Sequence, residues 1–240
     1  KRYLMLKKIL FTTLLFSLNA LFAFSTTNIE YLYGNFDGNS GFDTKGGKST
    51  LTVENFSTFT YGDFFGFVDI VRANDRFKNT DKKYELYFEL SPRISFGKIL
   101  QKDLSFFFVK DLFIAGQYNR QMHKFNDYHA ELYGLGSDLN IKGFDIFGLN
   151  FYKKEQNFGK NSYQLSANYI SEHIFGAPLV VDGFLDWTTG DFLSQNRLLY
   201  DFNYEVLGAK TYVGTEWHYY RVKDRDIKSN VFQFMLMVKW

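Results

Sequence analysis

The sequence predicts an all-β protein, a transmembrane antiparallel β-barrel of about 12 strands. Apolar and polar residues alternate along most of the chain, the pattern of strands with one apolar face. Aromatic residues make up 20% of the sequence, with 29 Phe and 17 Tyr, which is more than the core of one domain can bury. The chain contains two prolines, as expected of a backbone that must pair continuously.

Composition excludes several classes of protein. The 28 basic and 26 acidic residues leave a net charge of +2, too weak a field to collect nucleic acid. Cysteine is absent, which removes disulfides, thiolate catalysis and cysteine-ligated zinc. The mean hydropathy of -0.25 resembles that of a soluble protein, but alternation hides the apolar face of a barrel from such an average.

The amino-terminal segment has the pattern of a cleaved signal peptide. Lys1, Arg2, Lys7 and Lys8 precede an apolar run over residues 9–23. This run is shorter than the roughly 20 residues that a membrane-spanning helix needs. We therefore expect a signal peptide over residues 1–23, ending at Ala23, and one barrel domain over residues 24–240, with a transmembrane anchor as the alternative.

In the first half of the chain, alternation is clearest where Tyr84, Leu86 and Phe88 oppose Glu85 and Glu89. Less regular segments predict the other strands of this half. They lie near residues 28–36, 49–60, 64–72, 104–116, 128–140 and 145–153.

In the second half the alternation is more regular, and strands are predicted over residues 163–169, 181–187, 198–205, 212–219 and 232–240. The last strand presents one apolar face, formed by Phe232, Phe234, Leu236, Val238 and Trp240. Gln233 and Lys239 lie on its other face. A terminal aromatic residue after such alternation resembles the signal that the barrel-assembly machinery recognises. The alternative is the edge strand of a soluble sheet, although an apolar edge of this length favours aggregation.

Connections between the strands alternate in length. The long ones are rich in Gly, Asn, Asp and Lys, and we assign them to the outer surface. They cover residues 37–48, 73–82, 117–127, 153–161, 188–196 and 223–230. The short ones, at residues 61–63, 96–98, 142–145, 175–178 and 207–209, are then periplasmic turns. An even number of strands places both termini in the periplasm.

Several ordered stretches resemble one known family, the Tsx/OmpK-type nucleoside-specific channels. They are VENF at 53–56, GDFFGFVD at 62–69, ELSPRIS at 89–95, DLSF at 103–106, YGLGSD at 133–138 and FLDW at 184–187. The resemblance implies a monomeric barrel in the outer membrane of a Gram-negative bacterium, surrounded by outer-membrane lipid. Its narrow lumen would pass nucleosides or other small polar solutes by diffusion, without a cofactor.

Alternation also predicts which side chains face the lumen. These candidate solute contacts are Glu54, Phe65, Phe67, Asp69, Glu85, Tyr87, Glu89, Arg93, Asp186, Glu216 and His218. A nucleoside offers a flat π-face and ribose hydroxyls, which aromatic rings and carboxylates can bind.

Structural roles remain open for the same residues. Glu85, Glu89 and Arg93 could form a salt-bridge ladder that supports a narrow barrel, and Phe65 and Phe67 could fill its interior. The outward rings are expected to form an interfacial girdle. Examples are Tyr84, Tyr200, Trp217 and Tyr219.

The sequence offers little for catalysis. The four histidines, His123, His129, His173 and His218, have no Gly-x-Ser-x-Gly element or second zinc-ligand histidine at a suitable spacing. We expect no enzyme activity and no metal site. Two alternatives to a channel remain open: a closed barrel with a structural, adhesion or phage-receptor role, and a barrel hydrolase.

Overall fold

The computed structural model describes residues 22–37, 45–74, 83–122, 127–172 and 174–240. Twelve antiparallel strands each pair with the next along the chain, and the last pairs with the first, so the sheet closes into a barrel. The strands are β1 Phe22–Phe36, β2 Gly46–Phe59, β3 Gly62–Ala73, β4 Tyr84–Ser95, β5 Val109–Met122, β6 Tyr128–Leu139, β7 Ile146–Gln156, β8 Ser162–Glu172, β9 Leu179–Thr188, β10 Asp191–Val206, β11 Ala209–Val222 and β12 Ile227–Lys239. A short helix, α1 at Phe96–Leu100, and a 3-10 turn at Ile174–Gly176 lie between strands. The predicted fold class is confirmed.

Strand β12 shows why the sequence folds in this way. Its buried positions alternate with exposed ones along the strand. Gln233, Met235 and Met237 are buried inside the barrel, whereas Phe234 and Leu236 are exposed on the outside. The outer surface is therefore the apolar one, as expected for a barrel in lipid.

Trp240, which follows β12, extends the pairing between β1 and β12. The backbone N–H of Trp240 donates to the carbonyl of Thr27 at 3.0 Å, and that of Thr27 donates to the carbonyl of Trp240 at 3.2 Å. The hydroxyl of Thr26 donates to the same Trp240 carbonyl at 2.7 Å. Residue 240 thus completes the closure of the barrel, while its role as an assembly signal stays a prediction.

Apolar side chains fill part of the interior. One inner cluster spans β9 to β12 and β1, and we call it the apolar cluster. It consists of Leu32, Val180, Leu199, Tyr212, Met235 and Met237. A smaller group on β5, β6 and β7 contains Ala115, Ala130, Leu132 and Tyr152. These side chains narrow the space left for water.

The barrel has two distinct ends. We call the end where β1 begins and β12 ends the terminal end, and the opposite one the far end. At the terminal end, the prediction of a short turn at residues 96–98 is wrong. Strand β5 begins at Val109 rather than near residue 104, so the connection covers residues 96–108 and includes α1.

At the far end, the long loop predicted at residues 188–196 is wrong as well. Thr189 and Gly190 alone connect β9 to β10. The hydroxyl oxygen of Thr188 accepts from the backbone N–H groups of Gly190 at 3.1 Å and Asp191 at 2.9 Å. This side chain stabilises a tight turn that the polar composition did not reveal. Similarly, β5 continues to Met122, into the loop expected over residues 117–127.

Some predictions fall outside the described residues. They include almost all of the signal peptide, His123, His173 and most of the outer loops at residues 37–48 and 73–82. In the described ranges, no helix has the length and hydrophobicity to cross a bilayer.

Replacing Phe234 by Arg should destabilise the barrel. Phe234 lies midway along β12, opposite Tyr33 and Thr215, on the lipid-facing side. A cation on that side costs about 2–4 kcal/mol near the bilayer midplane. Urea unfolding from lipid vesicles measures the loss, and Phe234→Leu controls for removal of the ring. Equal stability of the Arg and Leu variants would show that this face does not contact hydrocarbon.

Candidate functional site on the inner wall

A row of three aromatic side chains follows β3 and β4 on the inner wall. The ring centroids of Phe65 and Phe67 are 6.0 Å apart, and those of Phe67 and Tyr87 are 5.8 Å apart. Alternation along β3 places Phe65 and Phe67 on the same face, and pairing with β4 brings Tyr87 beside them. We call these three residues the aromatic track.

Hydrogen-bonding groups continue the aromatic track. The hydroxyl of Tyr87 donates to the carboxylate of Glu89, which is buried. The amide of Gln117 donates to the same carboxylate at 2.9 Å and to the side-chain oxygen of Asn119, also at 2.9 Å. Flat rings and oxygen acceptors therefore lie next to each other on this wall.

A second group is centred on Arg197 of β10, and we call it the Arg197 cluster. The guanidinium donates to Asp182 of β9. It also donates to Glu30 of β1, at 2.7 Å. It also reaches Glu54 of β2 at 3.4 Å. Because β11, β12 and β1 separate β10 from β2, this side chain crosses part of the lumen.

Glu54 and Glu216 extend the Arg197 cluster. The amide of Asn28 donates to Glu54 at 2.8 Å. Glu216 lies opposite Arg197 in the sheet and accepts from Gln233 at 2.9 Å. Carboxylates outnumber the single guanidinium here, so this part of the wall is acidic.

The third group lies close to the terminal end, around Arg93 of β4. Its guanidinium donates to Asp63 of β3 and to Asp138 of β6, each at 2.8 Å. The same group lies 4.2 Å from the centroid of the Phe113 ring. The proposed ladder within β4 is therefore wrong, because Arg93 pairs with carboxylates of other strands rather than with Glu85 or Glu89.

The far half of the lumen is polar and mixed in charge. Lys48 lies 3.8 Å from the centroid of the Phe36 ring, which is 5.9 Å from the ring of His218. The Nδ1 atom of His218 lies 3.1 Å from the amide nitrogen of Gln195. Near this end, the amide of Gln121 donates to Glu85.

The two remaining predicted residues are held by hydroxyl groups. Thr52 donates to Asp69, and Ser166 donates to Asp186, both at 2.5 Å. The structure places every residue of the predicted lumen set on the inner wall, none of them exposed at the outer surface. Their role as solute contacts stays a prediction.

Sequence reasoning missed the residue at the centre of the largest cluster. Arg197 belongs to no predicted strand, because the predicted loop ends at residue 196 and the predicted strand begins at residue 198. Its alternation with Leu198 and Tyr200, which face outward, is the signal that would have placed it inside. Nothing in the sequence indicates that Glu30 and Asp182 are its partners, because those contacts depend on how the barrel closes.

Three of the four rings named as examples of the interfacial girdle are as exposed as that hypothesis requires. Tyr84, Tyr200 and Trp217 are exposed on the outer surface, whereas Tyr219 is half-buried, with its ring centroid 5.9 Å from that of Trp217. Trp217 stacks on Phe232, with centroids 6.2 Å apart and planes at 18°. These rings are too far outside to line the lumen.

The histidines that the structure describes make no contact suited to catalysis. The backbone N–H of His129 donates to Asn157, and His218 contacts Gln195 and Phe36 as above. Among the described residues, no group of three His, Cys, Asp or Glu side chains has the geometry of a metal site.

Comparison with known families identifies a match over most of the chain. Residues 28–225 match the family described as "Nucleoside-specific channel-forming protein, Tsx". The chain is similar to the outer membrane protein OmpK of Vibrio parahaemolyticus, with 25% identity over 193 residues that cover 78% of this chain and 70% of the relative.

A second relative is the nucleoside-specific channel-forming protein Tsx of Salmonella typhimurium. It is 28% identical over 188 residues, which cover 70% of this chain and 65% of the relative. The chain thus spans about two thirds of the length of these relatives. Among solved structures, the KdgM porin in complex with disordered oligogalacturonate aligns with 88% of this chain and 98% of its own, at 14% identity and a TM-score of 0.48.

Removing the charge of Arg197 should destabilise the barrel. Arg197→Gln leaves Glu30 and Asp182, both buried, without their cation, and breaking a buried ion pair from one side costs up to about 3–5 kcal/mol. The double variant Arg197→Gln, Glu30→Gln should recover part of this loss. Urea unfolding of the single and double variants measures both effects, and strictly additive losses would contradict the coupling.

Proposed function

The chain belongs to the family of nucleoside-specific channel-forming proteins, Tsx, and we propose that its barrel is an outer-membrane channel through which nucleosides or similarly small polar solutes diffuse passively. The observation that carries this proposal is the aromatic track, which lies beside carboxylate acceptors on the inner wall of a closed barrel. Each barrel encloses its own path for solutes, so a monomer can act as a channel. We also propose that the terminal end faces the periplasm.

The chemistry of the aromatic track suits a nucleoside. A base can stack on Phe65, Phe67 or Tyr87, and by analogy with single-stranded nucleic acids each stack is worth about 1–3 kcal/mol. Ribose hydroxyls can donate to a carboxylate such as Glu89. Two stacks would give an affinity near millimolar, roughly 4 kcal/mol. Weak binding of this order suits a channel, because a solute must leave as readily as it enters.

The path through the barrel is proposed to be off-centre. The apolar cluster occupies part of the interior on β9 to β12 and β1, and apart from the Tyr212 hydroxyl its side chains offer a polar solute no hydrogen bonds. The aromatic track lies on β3 and β4, with Glu89 and Gln117 beside it. A solute would therefore follow the β3 and β4 wall and pass the edge of the Arg197 cluster.

A closed barrel is the second candidate, and one observation favours it. Arg197 connects strands that are four apart in the sheet, which narrows the lumen. Single-channel recording in planar bilayers separates the two candidates, because a closed barrel should show no discrete openings. The proposed channel needs no catalytic step. Assays for lipid and peptide hydrolysis by the purified protein test the remaining alternative, a barrel hydrolase.

Replacing Phe67 by Ala should reduce nucleoside flux selectively. The change removes the central ring of the aromatic track, a stack worth about 1–3 kcal/mol, and widens the path. Uptake of a nucleoside into proteoliposomes at low concentration should fall, while uptake of a sugar of similar size holds or rises.

Phe151 provides a matched control for this variant. Its ring faces outward and stacks on Tyr163, with centroids 5.6 Å apart, so Phe151→Ala should leave both fluxes unchanged. If Phe67→Ala alters nucleoside and sugar uptake by the same factor, the Phe67 ring affects only the width of the lumen and does not bind nucleosides selectively.

Replacing Asp69 by Asn should weaken the preference for cations. The amide keeps the shape and can still accept from Thr52, but it removes one negative charge from an acidic wall. The reversal potential in a potassium chloride gradient should move toward zero. Glu155→Gln is the control, because Glu155 pairs with Lys153 and the outward-facing Tyr133. An unchanged reversal potential for Asp69→Asn would contradict a selective role.

A further inference from the structure

The connection between β4 and β5 is longer than the others at the terminal end, which span two or six residues. It covers residues 96–108 and begins with α1. Its tip is a tight turn in which Phe106 and Val109 exchange backbone hydrogen bonds of 3.1 and 2.8 Å. Phe107 and Phe108 are the two central residues of that turn.

The tip exposes three consecutive phenylalanine side chains. Phe107 is 98% exposed, and Phe106 and Phe108 are more than half exposed. Phe107 also has a φ of 51°, in the left-handed region that bulky residues rarely adopt. Its ring contact is an edge-on one with Phe106, with centroids 6.3 Å apart. This arrangement would be unfavourable in water, because apolar side chains exposed to this extent contribute no hydrophobic stabilisation.

A second turn at the terminal end repeats the feature. Leu207, between β10 and β11, is 91% exposed and has a φ of 52°. The indole of Trp240 donates to its carbonyl at 3.3 Å. At the far end, by contrast, the β11–β12 turn consists of Lys223, Asp224, Arg225 and Asp226. Large apolar side chains thus occupy turn tips where polar residues would be expected.

The exposed rings continue the lipid-facing surface of the barrel. Leu112 and Ile114 of β5 are exposed on the outside of the sheet, and Phe108 is exposed just beyond the strand, past an irregularity in the pairing between Val109 and Asp111. Helix α1 adds Ile99 and Leu100, which are both exposed. The apolar outer surface therefore extends past the last strand pairs into the connection.

Lysine side chains border this apolar surface. Lys98, Lys102 and Lys110 line a recess of about 420 Å³ together with Asp103 and Asp111. The two carboxylates are engaged by the chain itself. Asp111 accepts from the hydroxyl of Ser95 and the backbone N–H of Gly97, and Asp103 accepts from the backbone N–H of Ser105.

The lysines are less constrained. Lys98 donates to the carbonyl of Gly62 at 3.1 Å. Within the described part of the chain, neither Lys102 nor Lys110 forms an ion pair. A lysine stem can lie along apolar surface while its ammonium group stays at the level of lipid phosphates.

We propose that the β4–β5 connection is an interfacial lipid anchor, in which Phe106, Phe107 and Phe108 insert into the phospholipid leaflet at the terminal end while Lys102 and Lys110 contact anionic headgroups. Membrane binding by such segments combines buried apolar area with attraction to anionic lipid. The anchor would fix the depth at which the barrel sits in the bilayer.

The first experiment measures insertion of the rings. Because the chain has no cysteine, Phe107→Cys can carry a single polarity-sensitive fluorophore in a lipid nanodisc. Gly190→Cys is the control, in the far-end turn where an added Cβ meets nothing within 4 Å. We expect blue-shifted emission and quenching by brominated phospholipid at position 107, with iodide quenching roughly halved relative to position 190. Equal emission and equal access to both quenchers at the two positions would overturn the proposal.

The second experiment tests the headgroup contacts. Thermal unfolding is compared in phosphatidylcholine vesicles and in vesicles that also contain phosphatidylglycerol. Anionic lipid should raise the midpoint for the unmodified chain, the Lys102→Gln, Lys110→Gln variant should lose that increase, and the control Lys160→Gln at the far end should keep it. The same increase in all three proteins would overturn the headgroup contacts. So would an equal increase on adding inorganic phosphate to phosphatidylcholine vesicles, since a free anion would then be the ligand.

Discussion

Backbone hydrogen bonding in the absence of water is the constraint on which the structure depends. In hydrocarbon an unpaired N–H or C=O group costs several kcal/mol, so a sheet can span a membrane only when no edge is left open. Here the pairing of β1 with β12 removes both edges, and Trp240 completes it through Thr27. Once the sheet is closed, successive side chains must point alternately to lipid and to the interior. The apolar outer face and the polar inner wall follow from that single requirement.

Closure also explains why arginine is central to the inner wall. Charged side chains inside a narrow barrel need partners that compensate for lost hydration, and a planar guanidinium can serve several carboxylates at once. Arg93 joins β4 to β3 and β6, and Arg197 joins β10 to β9, β1 and β2. Each arginine therefore connects its own strand to a neighbouring strand and to at least one strand with which it does not pair. Because three carboxylates contact Arg197, this connection also leaves negative charge on the wall that a passing solute would meet.

The sequence predicts the strands of this protein much better than it predicts their connections and contacts. Alternation is a local property, and it predicts every strand and the inward orientation of the Glu54, Phe67 and Tyr87 side chains. The Thr188 turn was missed because one hydroxyl, rather than overall composition, shortens it. Helix α1 was missed because five residues give no periodic signal. The partners of Arg197 could not be predicted, since contacts across the lumen depend on the stagger between strands far apart in the chain.

The division of the interior into a packed apolar part and an aromatic wall links stability to the proposed transport. Small barrels are filled by side chains, and a path exists only where the filling stops. In this protein the apolar cluster packs part of the interior, on the same strands as most of the Arg197 cluster, with Leu199 and Met235 fully buried, so these side chains can stabilise the barrel away from the proposed path. The β3 and β4 wall carries rings whose faces need no hydrogen-bond partner and can stay exposed to lumen water at modest cost. In the proposed channel a flat solute would replace that water by stacking, and because each stack is weak, it could leave as easily as it binds.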